Sequence, residues 1–258
     1  MTRDLKEVSK EVSEFYDHLH QIITFPGNSV QSYRTAEIGP THEDIIVDSA
    51  LQPGMKVLDA GCGLGAFDYY AASKINCDIT AITFSPKELE KAKKFYADKQ
   101  VKGKLVYRLA DFHFMRDTFA DDTFDMVMFL ESFEHAYDKE KVLRDAYALL
   151  KKGGSLFIKF HFLLWLNADG REAEFNASVK SETDNFRIFS HVTLPDFIKL
   201  VQQIGFLPVV IKVPGIQFDF YKASMDNIAI VNKNMPGFNY SQPNFQVTQC
   251  YNVLLKKA

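Results

Sequence analysis

Three glycines at alternate positions follow a short apolar run, and an aspartate lies just before them. The stretch is VLDAGCGLG, residues 57–65, in which Asp59 precedes Gly61, Gly63 and Gly65. Glycine lets the backbone turn tightly and approach a ligand, and a helix that begins after such a turn offers free N–H groups to an anion. The stretch therefore predicts either a loop that binds a nucleotide-like ligand or an ordinary glycine-rich turn.

A second group of reactive side chains follows another apolar run. Glu131, Glu134 and His135 come directly after the run MVMFL, residues 126–130. Carboxylates and imidazoles accept protons from substrates. Glu131 ends the apolar run, where burial of an unpaired charge is costly, so a functional role is favoured there. His135 has the alternative interpretation of a loop histidine packed against the next helix.

The elements that would position these residues alternate between strands and helices. Apolar runs typical of buried strands and segments with helical periodicity predict a mostly parallel sheet with helices on both faces. Ligands bind beyond the carboxyl ends of the strands in such sheets, so both groups are expected at one edge. The predicted strands are 56–61, 78–84, 104–111, 124–132, 155–161, 206–213 and 245–258. The predicted helices are 5–24, 41–50 with Thr41 as N-cap, 66–75, 85–99 with Ser85 as N-cap, 138–152, 193–205 and 219–234.

The bulk composition is that of a soluble globular protein. The chain has 258 residues, of which 47% are hydrophobic and 24% are charged. A net charge of −3 gives no indication of a nucleic-acid partner. No run approaches the ~20 apolar residues of a membrane span, so no integral membrane segment is expected. Three scattered cysteines without a CxxC pair fit a reducing cytoplasm better than a disulfide framework.

Four segments, in their order and spacing, resemble the Rossmann-like (class I) S-adenosylmethionine-dependent methyltransferases. They are residues 57–65, 79–93, 108–115 and 124–158. The resemblance implies an α/β fold of seven mostly parallel strands, the last one antiparallel, with helices on both faces. It also implies S-adenosyl-L-methionine as methyl donor.

Three shorter stretches resemble one branch of this family. AITFSP, SFEHAYD and, more loosely, FYKASMDNIAIVNKN (220–234) are similar to motifs of the cyclopropane fatty acid synthases and the sterol and terpenoid C-methyltransferases. The N-terminal segment lacks the glycine- and tryptophan-bearing motif of that branch. The resemblance therefore leaves the substrate open.

The resemblance implies a role for each matched residue in the glycine loop. Asp59 would hold the loop from behind or reach the amino group of the cofactor; a strand-end or capping carboxylate is the alternative. Gly61, Cys62 and Gly63 would pass close to the methionine part of the cofactor. Cys62 fits there by its size rather than as a catalytic thiol.

The other cofactor contacts would come from the next two strand ends. Thr83, Phe84 and Ser85 are expected near the ribose, with Ser85 as a plain helix cap in the alternative interpretation. Asp111 and Phe112 would bracket the adenine, unless Asp111 is a solvated loop residue.

The reacting centre of these enzymes follows the fourth strand. Glu131, Glu134 and His135 would therefore be catalytic, and Glu131 would also face the cofactor. The predicted organisation is an N-terminal helical lid or arm in residues 1–40 and a methyltransferase domain in residues 41–258, with a cap insertion at about 163–192.

The expected acceptor is a small lipophilic molecule. Phenylalanine is abundant, 23 residues against one tryptophan, and aromatic faces stabilise a carbocation. These residues favour C-methylation of an isoprenoid or similar alkene, with Glu131 or Glu134 as base. Aromatic residues in the cap segments are Phe15, Tyr16, Phe25, Tyr33, Phe160, Phe162, Phe218, Phe220 and Tyr221.

Other functions stay open from the sequence. A prenyl diphosphate acceptor would need cations for its head, and Arg34, Lys180, Arg187 and Mg²⁺ could supply them; Mg²⁺ is expected only in that case. The alternatives are N- or O-methylation of a small polar metabolite and a non-catalytic, methyltransferase-like binding protein. A homo-oligomer is compatible with the sequence.

Overall fold

The computed structural model describes residues 4–22, 38–164, 170–214, 228–241 and 247–258. The strands are β1 (Lys56–Ala60), β2 (Asp78–Thr83), β3 (Lys104–Leu109), β4 (Phe124–Leu130), β5 (Leu150–Leu163), β6 (Phe206–Lys212) and β7 (Thr248–Lys257). The α-helices are α1 (Leu5–Ile22), α2 (Ile38–Ser49), α3 (Ala66–Lys74), α4 (Pro86–Tyr96), α5 (Met115–Thr118), α6 (Lys139–Leu149), α7 (Glu172–Phe186) and α8 (Leu194–Ile204). Short 3-10 turns cover Phe112–Phe114 and Phe133–His135, and residues 228–234 are helical.

The strands form one seven-stranded sheet in the order β3-β2-β1-β4-β5-β7-β6. The pairs among β1 to β5 are parallel, whereas β7 is antiparallel to both β5 and β6. The order reverses between β1 and β4, which is where open α/β sheets bind their ligands. The predicted fold is confirmed.

Both faces of the sheet are covered, which explains the continuous apolar runs in its central strands. Val127 and Phe129 of β4 pack on the side of α6 and α8. Met126 and Met128 face the other side, where α2, α3 and α4 contribute side chains such as Ile45. Alternate residues of one strand thus point into two cores, and none of them is required to be polar.

The N-cap predicted from the sequence is confirmed for one helix and is wrong for another. Ser85 caps α4, because its Oγ accepts a hydrogen bond from Glu88 N at 3.1 Å and Pro86 begins the helix. Thr41 is not an N-cap, since α2 already begins at Ile38. The helix predicted to run to residue 152 ends at Leu149, because Leu150 pairs with Phe124 and begins β5.

Aromatic side chains connect α1, α7 and the segment 228–241. Phe15 of α1 contacts Phe238 at a ring-centroid distance of 6.4 Å, and Phe186 of α7 contacts Phe238 at 5.3 Å. The part of the predicted helix in residues 219–227 lies outside the described residues. None of the described helices is both long and apolar enough to cross a bilayer.

Candidate active site

The glycine loop after β1 is held tightly between neighbouring strand ends. The N–H groups of Gly61 and Cys62 both donate to the carbonyl of Ile82 at 2.9 Å. Gly61 has a φ of +104°, and a Cβ at this position would lie 2.4 Å from Ser132 Cβ. Only glycine fits both the conformation and the space, so the loop is built for close approach.

A cavity with about 630 Å³ of empty volume, part of it open to solvent, lies at the carboxyl ends of β1, β2 and β4. Most of the residues predicted from the sequence line it. They are Gly61, Cys62, Gly63, Thr83, Phe84, Ser85, Phe112, Glu131 and His135. Three predicted residues, Asp59, Asp111 and Glu134, lie outside this lining. Tyr16, Phe67 and Glu88 line the cavity as well.

Behind the loop, Asp59 is paired with a second buried acid, Asp68 of α3. Burial raises the pKa of Asp59 to about 7, and the hydrogen bond with Asp68 opposes this rise. Burial and the charge of Asp59 raise the pKa of Asp68 well above its usual range. Neither oxygen of Asp68 forms a hydrogen bond of good geometry with any described residue. We therefore expect the two carboxyl groups to titrate as a coupled pair that shares a proton near neutral pH.

The end of β2 meets an acid whose role in the site the sequence motifs did not indicate. Glu88 lines the cavity, and its Oε2 accepts a hydrogen bond from Thr83 Oγ1 at 2.6 Å. A carboxylate here is suited to accept hydrogen bonds from ribose hydroxyls. The sequence could have indicated this role, because Glu88 is at position N3 of α4, one turn after the N-cap Ser85, and faces the same strand end.

Phe112 and Asp111 occupy different positions at the end of β3. Phe112 is buried and lines the cavity. Asp111 caps the following turn, where its Oδ1 accepts from His113 N at 2.8 Å, and its Oδ2 accepts from Ser9 Oγ of α1. Burial would raise the pKa of Asp111, but the hydrogen bonds from His113 and Ser9 lower it overall.

Glu131 directly follows β4 and adopts a left-handed conformation with a φ of +54°. This conformation is uncommon outside glycine and asparagine, and it is typical of functional sites. The carboxylate forms an ion pair with the buried Lys159 of β5 at 2.5 Å. Burial alone would lower the pKa of Lys159, yet the charge of Glu131 raises it. Glu131 thus presents a charged carboxylate to the cavity.

Glu134 and His135 are buried in the 3-10 turn that follows. Glu134 Oε1 accepts from His161 N at 3.1 Å, and burial together with the charge of Glu131 raises the pKa of Glu134 to about 8. Burial lowers the pKa of His135 to about 4. The neutral ring therefore donates from Nδ1 to the carbonyl of Arg187 at 2.9 Å and accepts at Nε2 from Tyr16 Oη at 2.8 Å.

Helix α1 lies along the rim of the cavity and binds the predicted site residues. Besides the bond from Tyr16 to His135, Asp17 Oδ1 accepts from Ser85 Oγ at 2.6 Å. His20 Nε2 lies 2.8 Å from Glu88 Oε1. These contacts link α1 to the ends of β2 and β4, although they are separated by more than sixty residues in sequence.

The predicted aromatic and cationic residues divide into several groups. Phe160 and Phe162 are in the hydrophobic core and do not line the cavity. Lys180 pairs with Asp184, and Arg187 pairs with Glu11. Phe25, Tyr33, Arg34, Phe218, Phe220 and Tyr221 lie outside the described residues.

The family of the chain is shown by comparison with known proteins. The sequence pattern of a methyltransferase domain matches residues 51–212, and the chain belongs to this family. The chloroplastic tocopherol O-methyltransferase of Arabidopsis thaliana is 29% identical over 170 residues, which are 58% of this chain and 48% of that protein. The match thus spans about half the length of this relative.

Solved structures confirm the fold over nearly the whole chain. The cyclopropane synthase MmaA2 from Mycobacterium tuberculosis has a TM-score of 0.74 at 14% identity and covers 96% of this chain and 98% of its own. A geranyl diphosphate C-methyltransferase from Streptomyces coelicolor A3(2), in complex with Mg²⁺, geranyl diphosphate and S-adenosyl-L-homocysteine, has a TM-score of 0.73 at 11% identity. It covers 99% of this chain and 100% of its own.

The predictions of protein class and of S-adenosyl-L-methionine as cofactor are confirmed at the level of the family. The residues present fit this cofactor, because the glycine loop at Gly61 and Gly63, the carboxylate of Glu88 and the ring of Phe112 line one cavity. The roles of the individual residues and the role of residues 1–40 stay predictions.

Proposed function

We propose that the protein transfers the methyl group of S-adenosyl-L-methionine to a small lipophilic acceptor. The observation that carries this proposal is the composition of one cavity. Its glycine loop suits the cofactor, and its other side combines apolar and aromatic side chains with the charged carboxylate of Glu131. Such a concave pocket, in which apolar side chains alternate with polar groups at defined positions, favours a small organic ligand.

We propose that the cofactor is held by the residues along the three strand ends. The backbone of the glycine loop faces its methionine part, and Glu88 with Thr83 faces the ribose hydroxyls. The Phe112 ring contributes apolar contact to the adenine. Asp59 acts indirectly, since its carboxyl group is buried against Asp68 behind the loop.

The favoured reaction is C-methylation of an alkene, such as an isoprenoid. When bound, the cofactor supplies an electrophilic methyl group on a sulfonium. An alkene carbon that gains this methyl group leaves a cation on its neighbour, and aromatic faces contribute about 0.5–2 kcal/mol each to stabilising that cation. Tyr16 lines the cavity beside His135 at the reacting end and is suited to this role.

Proton removal completes the proposed reaction. Of the two candidate bases, Glu131 lines the cavity, whereas Glu134 is buried behind it with a pKa raised to about 8. Glu131 therefore accepts the proton from the carbon next to the cation, and the electrons of that C–H bond form the new double bond. Glu134 and His135 position the loop that carries them.

O- or N-methylation is the second candidate function. It is supported by the similarity to a tocopherol O-methyltransferase. A hydroxyl or amine acceptor needs a single base, and Glu131 is positioned to accept the proton of that acceptor as well. A diphosphate acceptor with Mg²⁺ has weaker support, because neither Lys180 nor Arg187 lines the cavity.

The test is a transfer assay with methyl-labelled S-adenosyl-L-methionine. The acceptors are unsaturated lipids, sterols, prenyl diphosphates with Mg²⁺, phenols and amines, and products are extracted into organic solvent before and after phosphatase treatment. Label in an alkene product, lost in Glu131→Gln, supports the proposal. Label only on phenols or amines would replace it with the second candidate. Absence of S-adenosylhomocysteine binding would leave a non-catalytic binding protein.

A further inference from the structure

Three side chains with metal-binding atoms meet beside the reacting end of the cavity. Glu131 follows β4, His161 lies on β5 and Cys250 lies on β7. A carboxylate oxygen, an imidazole nitrogen and the thiol sulfur all lie within 4.8 Å of one another. His161 and Cys250 are direct cross-strand partners in the antiparallel β5–β7 pair, so two of the three positions are fixed by the sheet.

The imidazole of His161 supplies an independent observation that points to a ligand. Its Nε2 is buried and has no hydrogen-bond partner in the described part of the chain. This nitrogen lies 4.0 Å from Glu131 Oε2, which is too long for a hydrogen bond. Nitrogen and oxygen ligands of a tetrahedral Zn²⁺ lie about 3.3 Å apart. Small side-chain rotations that bring the imidazole nitrogen and the carboxylate oxygen closer by less than about 1 Å would therefore reach this distance.

The donor set selects the type of ion. Thiolate, imidazole and carboxylate together suit Zn²⁺ or Co²⁺, whereas Mg²⁺ prefers oxygen ligands only. The neighbouring cation Lys159 pairs with Glu131 Oε1 and leaves Oε2 facing His161. Binding releases the thiol proton to solvent, so a divalent ion adds one positive charge to the site. Three protein ligands leave a fourth position for water.

We propose that Glu131, His161 and Cys250 bind a divalent d-block cation such as Zn²⁺, and that the bound ion inhibits methyl transfer. The inhibitory part rests on the proposed function. A coordinated Glu131 no longer accepts a proton from the acceptor. The added positive charge also opposes binding of the sulfonium cofactor, which is a cation, more than binding of the neutral S-adenosylhomocysteine.

Titration of the metal-free protein with Co²⁺ tests the site itself. Wild type is expected to bind Co²⁺ with a thiolate-to-cobalt charge-transfer absorption band that added Zn²⁺ removes. Cys250→Ser and His161→Ala should lose the band. Cys77→Ser is the matched control, because Cys77 is equally buried but lies outside the cluster, and it should retain the band. Circular dichroism verifies that each variant is folded.

Two results would overturn the proposed site. One is a folded wild type that shows no charge-transfer band, and the other is a band that persists in folded Cys250→Ser. Because this readout needs no acceptor, it is independent of the methyl-transfer proposal.

The inhibition is tested separately, once an acceptor is identified. Zn²⁺ should reduce turnover of wild type at least about tenfold, a chelator should restore it, and Cys250→Ser should be insensitive. In wild type, Zn²⁺ should also weaken the binding of S-adenosylmethionine more than the binding of S-adenosylhomocysteine. Equal inhibition of wild type and Cys250→Ser would overturn the inhibitory role while leaving the site.

Discussion

Gly61 controls how closely the loop after β1 approaches the cavity. A methyl group at this position would overlap Ser132, and the φ of +104° is unfavourable for any other residue. Gly61→Ala is therefore expected to lower the free energy of unfolding by about 2–5 kcal/mol through strain and overpacking. Cofactor binding should weaken at the same time. Chemical denaturation and calorimetric titration with S-adenosylhomocysteine measure the two effects.

Gly54 provides the matched control for this substitution. It also has a positive φ, +84°, but a methyl group at this exposed position would meet no atom within 4 Å. Gly54→Ala should lower the free energy of unfolding by about 1–2 kcal/mol, the cost of a positive φ for alanine, and should leave cofactor binding unchanged. Equal losses in the two variants would show that the contact with Ser132 does not shape the loop.

The two glutamates after β4 can be distinguished by the pH dependence of turnover. A base with a pKa of about 8, as raised by burial in Glu134, would make kcat rise with pH up to about 8. We expect no such rise, because Glu131 is the group that lines the cavity. Glu131→Gln should lose about 10²–10⁴-fold in kcat.

Glu134→Gln is the control, since its amide oxygen still accepts from His161 N. It should retain kcat within about tenfold of wild type, which is below the range typical of a lost base. A steep loss in this variant, together with a kcat that rises up to about pH 8 in wild type, would transfer the base role to Glu134.

At the scale of elements, local signals predicted most helices and strands, whereas contacts distant in sequence were not accessible. Ser85 and Pro86 fixed the start of α4, because a cap involves only neighbouring residues. Thr41 failed as a cap, since α2 begins three residues earlier, at Ile38. The glycine loop and Glu131 were found because family motifs are contiguous.

The contacts of α1 could not be read from the sequence in this way. Tyr16 and His135 are 119 residues apart, and only the folded sheet brings them within 2.8 Å. Lys159 and His161 interrupt the apolar run of β5, but their partner Glu131 follows another strand, so the sequence alone did not indicate the pairing. Pairing across strands depends on the order of the sheet, which single segments do not encode.

Helix α1 is predicted to act as a lid, because its side chains bind the rim of the cavity. Saturating S-adenosylhomocysteine should slow amide hydrogen exchange in α1 at least about tenfold, within the ~2.7 kcal/mol available at 100 times Kd. Tyr16→Phe should reduce this protection, because it removes the bond to His135. Protection that depends on protein concentration instead would identify an arm to a second chain.

At the scale of the whole molecule, buried acids and buried histidines oppose each other in the dependence of stability on pH. The pKa of Asp59 is raised to about 7, so the folded state keeps a proton that the unfolded chain loses near pH 4. Stability from this source is present at low pH and is lost as the pH rises towards 7. Burial lowers the pKa of His42 and His135 to about 4, which has the opposite sign between pH 4 and 6.5.

A substitution in the Asp59–Asp68 pair measures how much this pair contributes to the pH dependence of stability. In Asp68→Asn, the amide can donate a hydrogen bond to Asp59 without a shared proton. The stability of the variant relative to wild type should therefore increase as the pH rises from 5 to 8. The expected gain is about 1–3 kcal/mol, since one pKa unit corresponds to about 1.4 kcal/mol. Urea denaturation at both pH values measures it. The exposed Asp117→Asn is the control and should show no such difference. An unchanged pH dependence in Asp68→Asn would mean that the two carboxyl groups behind the glycine loop do not share a proton.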